Sequence, residues 1–542
     1  MGSPRDTPGA PTLGRRELAG IVAITVAAAV LRFAYVGSGG PWDSDQGTEM
    51  LALWTAMTTG QLPLFGPAAT SLGSTFHHGA LYYDLLMPAV WISHGDPRAV
   101  LAEIAAVNSL VVPISWWVAR SIGGRTSGMI VAVMAATSAD LVFFSTFIWN
   151  PTFIETGAAL AALGAWQAWR TGNPRWWVVG AAGMTLAAQA HVAAAVLAIP
   201  LGLLFLLDLK RSATAARRRA VVWGLAAAAL VVATYLPVIL HELTGGFSEI
   251  RGIASYVSSP PGYVDVSPIA RLVFAAIRIP AWPLIGWPFY ELRPGVTLAL
   301  AVFLTLAVAW PLMLLRTWRH RLSISGGEVP PEDERHGLAL LIGSLVLIVV
   351  ALGFGLRAVS EINITMSEQY HTAADPFVLV ATGVTIGAVW NAGRADAAAR
   401  SMTVSRRVRR AAAILVVLVF VAFNAAHWPL VMPTGSWTDA QAAASRIERD
   451  AAGGRIALVP LYATKGTDAY VYPLLRDGIT TVAPQDASTV VLLCDTAWIK
   501  VGCDGYEERD WLRDGDNGRG LRLIDSFDAG PDKVMFVYRR AP

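Results

Sequence analysis

Charge is scarce in this chain, and cysteine is scarcer. Of 542 residues, 15% are Asp, Glu, Lys or Arg and 54% are hydrophobic, where a soluble protein would carry about 25% charge. That shortage excludes an ordinary soluble enzyme. The apolar residues come in runs near the ~20 needed to cross a hydrocarbon core, so the chain reads as a polytopic membrane protein. The first apolar run is long and lacks an obvious small-residue cleavage site, so it should stay as a helix. No glycine-rich phosphate loop is present, which argues against an ATP-driven pump. The net charge of +3 says little, because the basic residues are segregated, and no nucleic-acid partner is expected. Twenty tryptophans fit aromatic belts at membrane interfaces.

A second absence is local. Residues 38–97 contain no Lys or Arg, and by the positive-inside rule this loop faces outward. It opens with Pro41-Trp42-Asp43-Ser44-Asp45-Gln46-Gly47-Thr48-Glu49 and later carries Phe76-His77-His78-Gly79-Ala80-Leu81-Tyr82-Tyr83. Residues 46–59 can form one short helix, and 81–92 are apolar but too short to span, which suggests an interfacial or re-entrant helix.

Basic clusters mark the other side of the membrane. They lie at Arg15-Arg16, Arg120 and Arg125, Arg170 and Arg175, Lys210 to Arg219, Arg316 to Arg321, and Arg406 to Arg410. The pattern gives about eleven transmembrane helices, with helix one over 17–36, two over 98–119, three over 127–147, seven over 221–240 and eleven over 411–429. The run 176–207 is too long for one span and divides near Gln189-Ala190-His191. Residues 241–295 read as an external segment with one helix lying on the membrane. Three parts follow: a disordered cytoplasmic stretch over 1–16, a transmembrane domain over 17–430, and an extracytoplasmic domain over 431–542. In the last, 456–459, 490–493 and 534–538 read as strands and 439–451 as a helix, a small α/β domain of about 110 residues.

Several residues invite a chemical reading. Asp43, Asp45 and Glu49 sit where the chain leaves the bilayer. Such a carboxylate could take a proton from a hydroxyl or help hold a divalent cation; the plain alternative is a loop whose acids merely face water. His77 and His78 could donate to a phosphate oxygen, or belong to an ordinary polar loop. Asn150 and Glu155 hang over the outer face after helix three, where Pro151 ends the helix. Gln189 and His191 fall in an apolar stretch, where polar groups are costly unless used or bonded to a neighbouring helix. Glu368, Tyr370 and His371 on the last outer loop are similar candidates. Cys494 and Cys503 lie in the external domain, where a disulfide is the default; no further ligands suggest zinc.

With these residues in view, the chain resembles the GT-C superfamily of integral-membrane glycosyltransferases, in the bacterial branch related to protein O-mannosyltransferases and lipid A aminoarabinose transferases. The resemblance rests on Asp45-Gln46-Gly47-Thr48, Leu64-Phe65-Gly66-Pro67, His77-His78-Gly79-Ala80-Leu81-Tyr82-Tyr83, Trp149-Asn150-Pro151 and Gln189-Ala190-His191. Many members carry Asp-Glu where this chain has Asp45-Gln46, and some carry Lys-Pro-Pro-Leu where it has His78-Gly79-Ala80-Leu81. The second acid that some members place after helix three is here Thr152, with Glu155 close by.

The resemblance implies a sugar carried on a polyprenyl phosphate and moved, with inversion, to an extracytoplasmic glycan, lipid or protein. Asp45 would be the general base and Asp43 would orient it or help bind a metal. His77, His78 and Arg357 would stabilise the leaving phosphate, with Tyr82, Tyr83, Asn150, Glu155, Gln189, His191, Glu368, Tyr370 and His371 as further substrate contacts. Two rivals remain at this point: a lipid-linked sugar transporter without chemistry, against which the one-sided acids and lack of an internal repeat count, and a membrane sensor whose tail binds cell-wall material.

Overall fold

The computed structural model describes the chain except residues 1–12, 72–73, 259–266, 286–291, 320–321, 356–367, 393–405, 429–433, 463–465, 497–502, 504, 515–516 and 542. The first helix is α1 (Arg15–Phe33). A helix α2 (Ser44–Thr59), a hairpin of β1 (Ala68–Ser71) and β2 (Ser74–His77), and α3 (Leu81–Ser93) make up the basic-free loop. Then come α4 (Pro97–Ser109), α5 (Val111–Thr137), α6 (Ala139–Phe143), α7 (Ile154–Thr171) and α8 (Trp176–Ala190). They are followed by α9 (Ala198–Arg211), α10 (Thr214–Thr234), α11 (Leu236–Gly245), α12 (Ser248–Ser258), α13 (Pro268–Ile285) and α14 (Leu292–Trp318). The bundle ends with α15 (Pro331–Gly355), α16 (Asp375–Asn391) and α17 (Arg406–Ala426).

Among the described residues, seven helices are long and apolar enough to cross a membrane, or eight if the bent pair α10–α11 is one span. One of the seven is the run Pro97–Thr137, and it is two legs rather than one rod. The chain turns at Gly124 (φ 76°), a left-handed conformation that glycine takes without strain. A Cβ on Gly128 would stand 2.9 Å from the Cβ of Arg120, so the second leg lies back along the first. The helices α1, α7 and α8 occupy further positions expected for spans. The last two meet through small residues: a Cβ on Gly164 would lie 2.2 Å from the backbone nitrogen of Gly180, the close approach typical of membrane helix pairs. Outward faces of α10 and α17 expose Val222, Leu225, Leu415 and Leu418, as a lipid-facing surface should.

Ion pairs gather at one end of the bundle. Arg120 pairs with Glu17 at 2.6 Å, Arg125 approaches Glu17 at 3.8 Å, and Arg170 pairs with Asp333 at 2.9 Å. The α2–α3 region sits at the other end. The stretch expected as an external segment over 241–295 contains α13, which packs against α14, α15 and α16. Arg271, Arg278, Pro280 and Pro283 interrupt its apolar run and disguise it in the sequence.

The C-terminal region folds around a mixed sheet. It has α18 (Trp437–Ala451), β3 (Ile456–Pro460), α19 (Asp468–Arg476), β4 (Thr489–Asp495), α20 (Tyr506–Arg513), β5 (Leu521–Gly530) and β6 (Lys533–Arg540). The strand order is β3-β4-β6-β5, with β3 parallel to β4 and the other pairs antiparallel. Every residue of β4 is buried, which fits a central strand covered on both faces. Cys494 at the end of β4 is disulfide-bonded to Cys503.

Candidate active site

The N-terminus of α2 is fixed by a reciprocal cap. Asp43 accepts from the Ser44 amide at 2.7 Å, and Gln46 accepts from the Asp43 amide at 2.9 Å, so two amides that a helix start would leave orphaned are satisfied. Gln46, the residue that departs from the Asp-Glu pattern, is thus a structural member of the cap. Asp45 falls in the first turn and is exposed, whereas Asp43 and Glu49 are buried. A first-turn carboxylate is favoured by the helix dipole. One turn on, Glu49 shares the Asp45 face and hydrogen-bonds Tyr83. Burial pushes the Glu49 carboxyl well above the usual range; Tyr83 works against this, and the charge of Asp45 adds to it. The Tyr82 hydroxyl beside it is buried with no hydrogen-bond partner among the described residues.

Below this wall lies a stack of rings. His78 is 4.9 Å from His191, and His191 is 5.1 Å from Tyr370, between ring centroids. Gln189 accepts from the Leu81 amide at 3.1 Å and fills the space beside Gly79, where a Cβ would stand 2.3 Å from its side-chain oxygen. Asn150 donates to the Ala190 carbonyl at 2.5 Å and so ties the end of α8 to the turn before α7. His77 points elsewhere, since successive strand residues face opposite ways. Its Nδ1 lies 3.1 Å from Glu249 on α12, and its amide donates to the same carboxylate. Here a cavity of about 330 Å³ opens, with His77, His78 and Glu249 at one end and Ile239, Ile250 and Ile253 along its wall.

A third group was not foreseen as a group. Asp140, Glu155 and Asp375 bring carboxylate oxygens within 4.8 Å of one another, all buried. They come from α6, the start of α7 and the start of α16. The Trp282 indole donates to Asp140 at 2.7 Å. His371, fully buried, lies edge-on to Trp282 at 5.3 Å. Two buried guanidiniums face the acids: Arg32 interacts with Glu155 and Arg278 with Asp140. Arg32 is held by the Ser145 hydroxyl and by carbonyls of Ala28, Ala135 and Ala136. Outside the acid cluster itself, neither oxygen of Asp375 has a hydrogen-bond partner among the described residues. Three hard oxygen donors suit Mg²⁺, Ca²⁺ or Mn²⁺, and these residues fit a divalent cation; shared protons would relieve the same repulsion.

Tyr82 links the first wall toward this cluster, its ring 6.0 Å from Phe153 two positions before Glu155. The structure therefore gathers Asp45, Glu49, Tyr82, Tyr83, His78, Gln189, His191, Tyr370, Asn150 and Glu155 around one end of the bundle. It turns His77 toward α12 and gives Asp43 to the cap. Arg357 lies outside the described residues, and of Glu368 only the backbone is described. Asp140 and Asp375 escaped the sequence reading although each stands alone in an apolar run, the same signal that singled out Gln189 and His191.

No protein-family model matches the sequence, and no curated protein matches it. Solved structures do. ArnT from Cupriavidus metallidurans bound to undecaprenyl phosphate superposes with a TM-score of 0.56 at 11% identity, covering 95% of this chain and 97% of that one. The apo state of the same protein gives 0.57 at 10% identity, with 96% and 98% covered. The arabinofuranosyltransferase AftD from Mycobacteria gives 0.51 at 14% identity, covering 98% of this chain but only 40% of its own. With its helical membrane bundle and small C-terminal sheet domain, the chain shares the fold of these solved structures.

Proposed function

We propose that this membrane protein is a glycosyltransferase that moves a sugar from a polyprenyl-phosphate carrier to an extracytoplasmic hydroxyl acceptor. The observation that carries the reading is the position of Asp45. It is the exposed carboxylate on a helix turn whose other acids are buried, and it stands above the Glu49–Tyr83 wall. The nearby fold comparison with a protein seen bound to undecaprenyl phosphate supports the carrier class.

In the reaction, Asp45 accepts the proton of the acceptor hydroxyl. The oxygen attacks the anomeric carbon from the face opposite the phosphate, the carbon–phosphate-oxygen bond breaks, and polyprenyl phosphate leaves with the electron pair. The configuration inverts. Burial, with the charge of His77 adding to it, pulls His78 down to about 4. At neutral pH it is an uncharged imidazole that can donate one N–H to the phosphate. His77 lines the 330 Å³ cavity, whose apolar wall suits the first isoprene units. A divalent cation at Asp140, Glu155 and Asp375 would supply positive charge for an anionic donor.

The test incubates purified protein with polyprenyl-phosphate sugars and measures released polyprenyl phosphate. Asp45→Asn should lower turnover about 10²–10⁴-fold while leaving donor binding in place. Normal turnover in Asp45→Asn would overturn the choice of base. Donor binding by the wild type with no release under any acceptor would favour a transporter.

A further inference from the structure

The C-terminal domain is packed onto the segment that carries Asp45 rather than hung beside it. The Trp42 indole donates to the Ala469 carbonyl at 2.7 Å, and its ring lies 4.6 Å from Trp437. The Thr48 hydroxyl donates to Asp468 at 2.6 Å, and the Gly466 amide donates to the Ser44 hydroxyl at 3.1 Å. The Tyr472 hydroxyl donates to the Gly95 carbonyl at 2.5 Å. These contacts hold the two parts together by packing and hydrogen bonds, one of them to the Asp468 carboxylate.

Two further contacts are ionic: Arg476 on α19 lies 3.4 Å from Asp96 at a partly exposed site, and the second is buried. Lys533, at the start of β6, is 2% exposed. Its ammonium lies 3.5 Å from Asp43 and 3.6 Å from Asp495. A buried ammonium is costly unless paired, and a neutral side chain of the same size would pack at least as well. A charge held between two carboxylates fixes one geometry at this junction. Asp43 is also the cap of α2, and Asp45 is two residues beyond it. The position of Asp43 therefore sets where the first turn of α2 points.

We propose that Lys533 is a positioning residue: through Asp43 it sets the orientation of the α2 N-terminus, and with it the reach of Asp45 to the acceptor. This rests on Asp45 being the base. It gives the C-terminal domain a part in turnover without any contact to substrate.

The experiment uses the full-length protein with Lys533→Met, Lys533→Arg and the neutral set Lys533→Met/Asp43→Asn/Asp495→Asn. It measures kcat and donor KM together with amide hydrogen exchange over residues 43–50. A small displacement of a reacting group costs up to about 10²-fold. Lys533→Met should therefore lower kcat by about that factor with KM unchanged, and exchange in the first turn of α2 should rise. Lys533→Arg should recover part of the kcat. The neutral set should fold, melt near the wild-type temperature, and keep the low kcat. Wild-type kcat in the neutral set, or unchanged exchange in Lys533→Met, would overturn the proposal. So would failure of the neutral set to fold, since Lys533 would then serve stability alone. Asp45→Asn, assayed alongside, separates the two ideas. If it keeps full turnover the catalytic reading fails, while the exchange data still decide whether Lys533 orients the helix.

Discussion

At the scale of single residues, the site is governed by which polar groups are buried and what they meet there. His78 gives the clearest consequence. Its folded-state value is about 4 against an ordinary 6.5, so between those two pH values the unfolded chain takes up a proton that the folded chain refuses. Stability from this group is complete above about pH 6.5 and falls as the pH drops toward 4, by about 3 kcal/mol in all. The melting temperature in detergent should fall across that window, and His78→Gln should flatten the fall. An equally steep fall in the variant would move the effect to other groups. The same physics explains what the sequence showed and hid. Asp45 and Glu49 could be read as rim acids because they lie in a loop without basic residues. That one is exposed and the other buried depends on which side of α2 meets α3, and local spacing does not carry that. Nor could it show that Asp140, Glu155 and Asp375 converge, since they are brought together only by the crossing of α6, α7 and α16.

At the scale of elements, helices with strong local signals were legible. The short helix expected over 46–59 is Ser44–Thr59, and the one over 81–92 is Leu81–Ser93. The break near Gln189 is real: α8 stops at Ala190 and His191 is extended. Three of the four sheet strands stood out as apolar runs. The fourth, β5, did not, because charged and apolar residues mix along it and half of it is exposed. The contact of α2 with α19 was invisible in sequence and is severe. A Cβ on Gly47 would lie 2.2 Å from the backbone carbon of Asp468, and backbone cannot swing aside as a side-chain tip can. Gly47→Ala should therefore push α19 off α2 and cost about 1–3 kcal/mol, the usual range for overpacking. A lower melting temperature and faster proteolysis of the C-terminal domain would report it; an unchanged melting temperature would mean that the helices separate without loss.

At the scale of the whole molecule, the two ends of the bundle differ in chemistry. One holds the Arg–Glu and Arg–Asp pairs of Arg120, Arg125 and Arg170; the other holds the loop without basic residues and the sheet domain. The Trp42–Trp437 contact puts that loop and that domain on the same side. Combined with the positive-inside rule, this leads us to expect the sheet domain outside the cell. A reporter fused after residue 541 and active only outside should be active, and activity of a cytoplasm-only reporter there would reverse the topology. The aromatic junction also bears on how the protein is made. Trp42 and the carbonyl it binds are 427 positions apart in the chain, and Lys533 comes later still. A ribosome delivers the acidic loop early, long before its partners are synthesised. The loop can lock only after the remaining helices have been made and the last strand of the sheet has folded against it. A chain that stops short of β6 would thus insert without Lys533 to hold the cap of α2, and should turn over slowly for that reason.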